Sequence, residues 1–137
     1  MKIYIALLLL SVCDPVFAEG ELIATSRIGE VLYYTSISQS ELQASSDWNP
    51  EKGVTPVGQL EALKKAKDLL NKEFPDFGLY RVFGVTLAES DFGTWHYRVA
   101  FRSTPDRPAK GTQRPGMLTY FILLNGESVS PMIQKRE

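Results

Sequence analysis

The chain has one histidine, His96, inside GTWHYRVAF (residues 93–101), with two carboxylates, Glu89 and Asp91, just ahead of it. A histidine base acts only beside a nucleophile whose proton it takes and a third group that orients it. No serine here stands in a Gly-x-Ser-x-Gly elbow. A metal site needs several His, Cys or carboxylate ligands at set spacing, and one histidine near Arg98 and Arg102 is a poor beginning. Glu89 and Asp91 could serve as an acid/base pair, but they sit in a short polar stretch that reads as a turn facing water. Gly111 and Gly116 lie in proline-rich sequence that opens no helix, so no phosphate-binding loop is expected. The groups with the clearest chemistry are cationic: Arg98, Arg102, Arg107, Lys110 and Arg114. They suit carboxylates or phosphates through charge-assisted hydrogen bonds. No catalytic residue, metal or cofactor is expected.

The elements that must hold these groups follow from periodicity. In residues 95–102, Trp95, Tyr97, Val99 and Phe101 fall on one face, and His96, Arg98, Ala100 and Arg102 on the other. This alternation is that of an antiparallel strand with one wet side, which places His96 on the polar face. Residues 79–88 read as a preceding strand, with Phe83, Val85 and Leu87 on one face and Gly84 marking a bulge or close approach. Residues 117–124, MLTYFILL, are apolar on both faces and read as a strand covered on both sides. Asn125-Gly126 signals a hairpin, returning as a short strand over 127–133 kept at an edge by Pro131. Ser103 to Gly116 form a long basic connection.

Upstream, Thr55-Pro56 is expected to open a helix. Its apolar stripe is Leu60, Leu63, Ala66, Leu70 and Phe74, with lysines on the wet side and Pro75 ending it. Residues 30–38 read as a strand and 19–29 as a loose lead-in. Residues 39–53 read as a loop, in which Trp48 either pins the loop to the core or serves as an exposed anchor. The fold class is α+β: one amphipathic helix on an antiparallel sheet of four to five strands, in β-α-β-β-β order.

Residues 1–18, MKIYIALLLLSVCDPVFA, pair a basic start and a short apolar run with a small-residue ending, the pattern of a cleaved signal peptide. The run is too short to span a membrane. Export to the periplasm or beyond is expected, with lipidation at Cys13 the lesser alternative. Residues 19–53 (strand and loop) and 54–137 (helix and sheet) then form one domain. Cys13 is the only cysteine, so the processed chain would carry no thiol or disulfide. The net charge is −1, but it is unevenly spread: residues 19–53 carry six acids against two bases, and residues 98–137 seven bases against three acids. Such asymmetry steers acidic partners to the C-terminal half, or else the two halves complement each other on one small surface. Nucleic acid is not an expected partner, since Trp95, Tyr97 and Phe101 point away from the basic residues.

EALKKAKDLL (61–70), TWHYRVAF (94–101) and YFILLNGESV (120–129) together resemble the PepSY-like and cystatin-like group of small α+β domains, over residues 55–131. The Trp48-Asn49-Pro50 loop and Trp-x-Tyr strand are also similar to those of short secreted bacterial proteins of unknown function. The resemblance implies an exported, non-catalytic module that restrains a peptidase or another envelope protein, and it carries no catalytic residues. The connection at 103–116 is longer than that pattern has, and the Gln-x-Val-x-Gly hairpin of cystatin inhibitors is absent. The expected function is therefore a binding or inhibitory module with a protein partner, its contacts drawn from Trp48, Arg98, Arg102, Arg107, Lys110 and Arg114. The alternative is a small-ligand cup or weak enzyme between helix and sheet.

Overall fold

The computed structural model describes residues 20–77, 80–103 and 116–134. The signal-peptide reading of 1–18, Cys13, and most of the 103–116 connection with Arg107, Lys110 and Arg114 lie outside them.

The described residues form an α+β fold with two α-helices and two antiparallel sheets. Strands β1 (Glu21–Ile28) and β2 (Val31–Ser38) form a hairpin in full register, from Glu21 opposite Ser38 to Ile28 opposite Val31. Its turn is two residues long, with Gly29 at φ 59°, a conformation that glycine adopts without steric cost. Helix α1 (Gln39–Ser45) follows directly. Ser38 caps it by accepting from the Glu41 amide, and its Leu42 is completely buried. Helix α2 (Gln59–Glu73) leads into β3 (Tyr80–Glu89), β4 (Trp95–Ser103) and β5 (Met117–Leu123), with the two-residue strands β6 (Ser128–Val129) and β7 (Met132–Ile133) closing the chain.

The second sheet runs β3-β4-β5-β6; the first runs β1-β2-β7, so the last strand returns to the first hairpin. The expected β-α-β-β-β order on a single sheet thus differs: the strands form two sheets, and the one strand expected over 127–133 is split into β6 and β7, one in each, with Pro131 between them. Residues 21–28 are a strand, not a lead-in, and residues 39–45 of the expected loop are helical. Strand β1 turns Leu22, Ala24, Ser26 and Ile28 inward, while Ile23 on its outer side is 51% exposed. Small and polar inward residues beside an exposed isoleucine blur the alternation that marks a strand.

Helix α2 covers one face of the second sheet. Ala62, Ala66 and Leu70 pack with Tyr97, Val99, Phe101, Leu118, Tyr120 and Ile122. The helix begins at Gln59 behind Gly58, later than Thr55-Pro56, and its buried stripe runs through Ala62 rather than Leu60, which is 82% exposed. The lead-in is held from the sheet: the Tyr97 hydroxyl donates to the Val57 carbonyl at 2.9 Å. Phe74 ends the helix, its amide donating to the Leu70 carbonyl, and Pro75 follows. Strand β5 is covered on both sides as its composition implies, with Leu118 and residues 120–123 buried.

The first sheet and α1 cover part of the opposite face. Ala24, Ile37 and Leu42 join Phe121 and Leu123 in a second core, with Leu22, Phe92 and Val129 at its margin. The strands of the two sheets run along one another. Ile28 approaches Gly116 at one end of β5, and Ala24 meets Phe121 and Leu123 toward the other. Strand β1 lies over β5, and β2 over β5 and β6.

Candidate functional site: the open half of the second sheet

Strand β4 sorts its residues by alternation, and its neighbours decide what each face becomes. Tyr97, Val99 and Phe101 turn to α2 and are buried. On the other face, Ala88, Thr86 and Gly84 of β3 stand opposite His96, Arg98 and Ala100, which in turn stand opposite Leu123, Phe121 and Thr119 of β5.

This face is wet for only part of its length. His96 is 1% exposed, which corrects the expectation of a polar-face histidine. Its ring meets Phe121 edge-on at 5.4 Å, and it pairs across the ladder with Leu123, at the end of the sheet where the second core gathers Leu42 and Phe92. Neither ring nitrogen has a hydrogen bond of good geometry. Burial brings its pKa down to about 4, opposed in part by the Thr94 backbone and aided least by the Arg98 charge. Alternation placed His96 on the correct face; the cover over that end comes from α1 and the first hairpin, far away in sequence.

Beyond His96 the face opens. Arg98 and Arg102 are exposed, as expected. The Arg98 guanidinium stands over the Phe121 ring, 5.7 Å from its centroid. Such a contact holds a guanidinium by its flat side and leaves the N–H edges free. A third arginine joins them. The β3–β4 register shifts between Val82 and Gly84, so Phe83 is an extra, unpaired residue and Arg81 falls opposite Arg102 on the same face. Unbroken alternation from Leu87 back through Phe83 would have put Arg81 on the α2 side. The signal available was Gly84, but a glycine alone does not tell whether a strand bulges there.

Between the arginines the floor is low. Gly84 faces the half-buried Ala100, and a Cβ added at Gly84 would meet nothing within 4 Å. Among the described residues no carboxylate pairs with Arg81, Arg98 or Arg102; the ion pairs there are Lys52–Asp47 at 3.0 Å and Lys65–Glu61 at 3.9 Å.

Trp48 stands apart from this site. It is 8% exposed and packs edge-on against Trp95 at 5.9 Å, with its indole nitrogen unpartnered. It pins the 46–58 segment to the α2 side of the sheet, the first of the two roles its position in the loop suggested. Glu89 and Asp91 are exposed at the end of β3 and in the turn after it. No group of three His, Cys, Asp or Glu side chains that could hold a metal occurs among the described residues. Among them, too, no helix is long and apolar enough to cross a membrane.

Tyr120 is the other buried group with displaced chemistry. Burial above all, then the nearby Glu73 carboxylate, raises its pKa. Glu73 accepts a hydrogen bond from Ser130 at 2.8 Å. With the ring between Phe101 and the helix, this tyrosine is core.

What remains at the surface is a shallow basic trough over β3 and β4, able to hold negatively charged groups. No family model matches the chain, and neither a curated protein nor a solved structure matches it.

Proposed function

We propose that this protein is an exported, non-catalytic binding or inhibitory module that takes an acidic protein partner, such as a peptidase or another envelope protein, on the open face of β3 and β4. The observation that carries the reading is the set of three exposed arginines, Arg81, Arg98 and Arg102, on one sheet face with no carboxylate paired to them among the described residues. Folded domains ordinarily intersperse both signs of charge, and an uncompensated group of guanidiniums favours carboxylate binding through paired N–H donors. Export rests on the composition of residues 1–18, and the inhibitory role on the resemblance to PepSY-like and cystatin-like domains.

A ligand cup between helix and sheet would need the space that Tyr97, Val99, Phe101 and Tyr120 occupy. No observation among the described residues favours that second reading.

The test is affinity capture from the exported fraction of the native cell, with the wild-type chain and the Arg98→Glu/Arg102→Glu variant as baits. A protein held by the first and lost by the second is the expected result. Capture of nothing, or of the same proteins by both baits, overturns the reading.

A further inference from the structure

The first sheet stops short of the face it covers. It offers two long strands and a two-residue third, while the sheet beneath has four. Strand β2 lies over β5 and β6, and β1 over β5, so the free edge of β1 points across β4 toward β3. Neighbouring strands stand about 4.8 Å apart in both layers, so the next position beside β1 lies over β4. Among the described residues a Cβ on Gly84 meets nothing within 4 Å and Ala100 beside it is half-buried, so the floor is low there; it is flanked by Arg98 at one end and by Arg81 and Arg102 at the other.

We propose that an extended acidic segment of the partner fills this position, adding a strand to the free edge of β1 and laying alternate side chains on the Gly84–Ala100 floor. The proposal rests on the binding-module reading and names the partner's form. Backbone pairing with β1 supplies affinity, and the trough supplies selection. Side chains along a strand share a face every second residue, at about 3.3 Å per residue, so Arg98 and Arg102 are about 13 Å apart along β4. A single phosphate or sulfate cannot span that gap, whereas a strand parallel to β4 can. The side chains facing Arg98, Ala100 and Arg102 are then an acid, a bulky apolar residue and an acid, at positions i, i+2 and i+4.

Other edges and occupants fit less well. The outer edge of β3 is interrupted by the Phe83 bulge and carries Arg81, both of which discourage regular pairing. A second copy pairing through its own β1 would present Leu22, Ala24, Ser26 and Ile28 inward, none of them acidic.

The experiment uses the purified chain and two end-capped synthetic peptides of one composition. In one, Glu, Phe and Glu stand at alternate positions between serines and threonines; in the other, the two glutamates and the phenylalanine are adjacent. Affinity is read by calorimetry, and amide hydrogen exchange is followed along Glu21–Ile28. The alternating peptide is expected to bind more tightly, to slow exchange at alternate β1 amides, and to weaken about tenfold or more with Arg98→Glu. Ala100→Phe, which keeps every arginine but fills the floor, should weaken it comparably. If that variant fails to fold, β1 protection in the wild-type chain decides alone. Binding that depends on Arg98 but treats both peptides alike and leaves β1 exchange unchanged overturns strand addition while sparing the binding-module reading. Failure of both peptides to bind overturns strand addition; the reading beneath it then stands or falls on the capture experiment.

Discussion

The Thr35 hydroxyl donates to the main-chain carbonyl of Thr119 at 2.5 Å, crossing from the first sheet to the second. Thr35 is completely buried, so the hydroxyl has no water to turn to, and its partner belongs to the strand that both cores share. Thr35→Val keeps the shape and removes the donor. It should cost about 1–2 kcal/mol, read as a lower urea midpoint with an unchanged denaturant slope. A midpoint equal to that of the wild type would show that this bond contributes nothing net to holding the sheets together.

His96 makes stability depend on pH. Its folded pKa, about 4, lies below the ordinary 6.5, so between these values the unfolded chain binds a proton that the folded chain refuses. The stabilisation is whole above pH 6.5, declines as the pH falls, and is gone below about 4. It amounts to about 3 kcal/mol at most. Urea midpoints of the wild type and of His96→Leu, taken from pH 7 to pH 4, should show a steeper acid loss in the wild type. Parallel curves would mean that His96 is protonated without cost in the fold.

Tyr97 holds the entrance of α2 through its bond to the Val57 carbonyl, with Thr55 Oγ1 a further 3.3 Å neighbour. Tyr97→Phe leaves a carbonyl unpaired beside the buried Val57 side chain. A loss of about 1–3 kcal/mol is expected, with faster amide exchange concentrated in residues 55–62. Exchange that quickens evenly across the chain would contradict this local role.

Two glycines should respond in opposite directions. Gly126 has φ 92°, and a Cβ there would come within 3.0 Å of Lys65 Nζ, which itself donates to the Gly126 carbonyl at 2.9 Å. Gly126→Ala should cost about 1–2 kcal/mol. Gly84→Ala meets open space and should leave stability unchanged or raise it by up to about 1 kcal/mol, because alanine restricts the unfolded chain. Thermal midpoints of the two variants distinguish these outcomes.

How much could be read in advance varies with the range of the forces involved. The strand at 95–103 announced both its faces, because alternation is a local consequence of the pleat. So did β5, whose unbroken apolar run could only lie between two layers. The Asn125-Gly126 turn was equally plain, since glycine alone relaxes there. The burial of His96 was not legible: it depends on where the first hairpin and α1 fold back, and nothing near residue 96 encodes that. Arg81 was hidden by the extra residue at Phe83, which reverses every face before it. Strand β1 escaped because the two residues it buries most deeply, Ala24 and Ser26, are small and let two sheets approach without looking hydrophobic. Of the six residues expected to make contacts, Arg98 and Arg102 stand on the open face, Trp48 belongs to the core, and Arg107, Lys110 and Arg114 lie outside the described residues.

The return of β7 to β2 has a consequence for how the chain becomes folded. Tyr34 pairs with Met132, so the first sheet gains its third strand from a segment distant in the sequence. A two-stranded hairpin by itself is barely stable in water, and β1 and β2 must wait for β5 to provide the surface they rest on. A chain emerging N-terminus first therefore carries an unsupported hairpin until residues 117–133 have been made. Contacts of such long range favour folding over milliseconds to seconds rather than microseconds, and they make β5 and β7 a condition for residues 21–38 to settle.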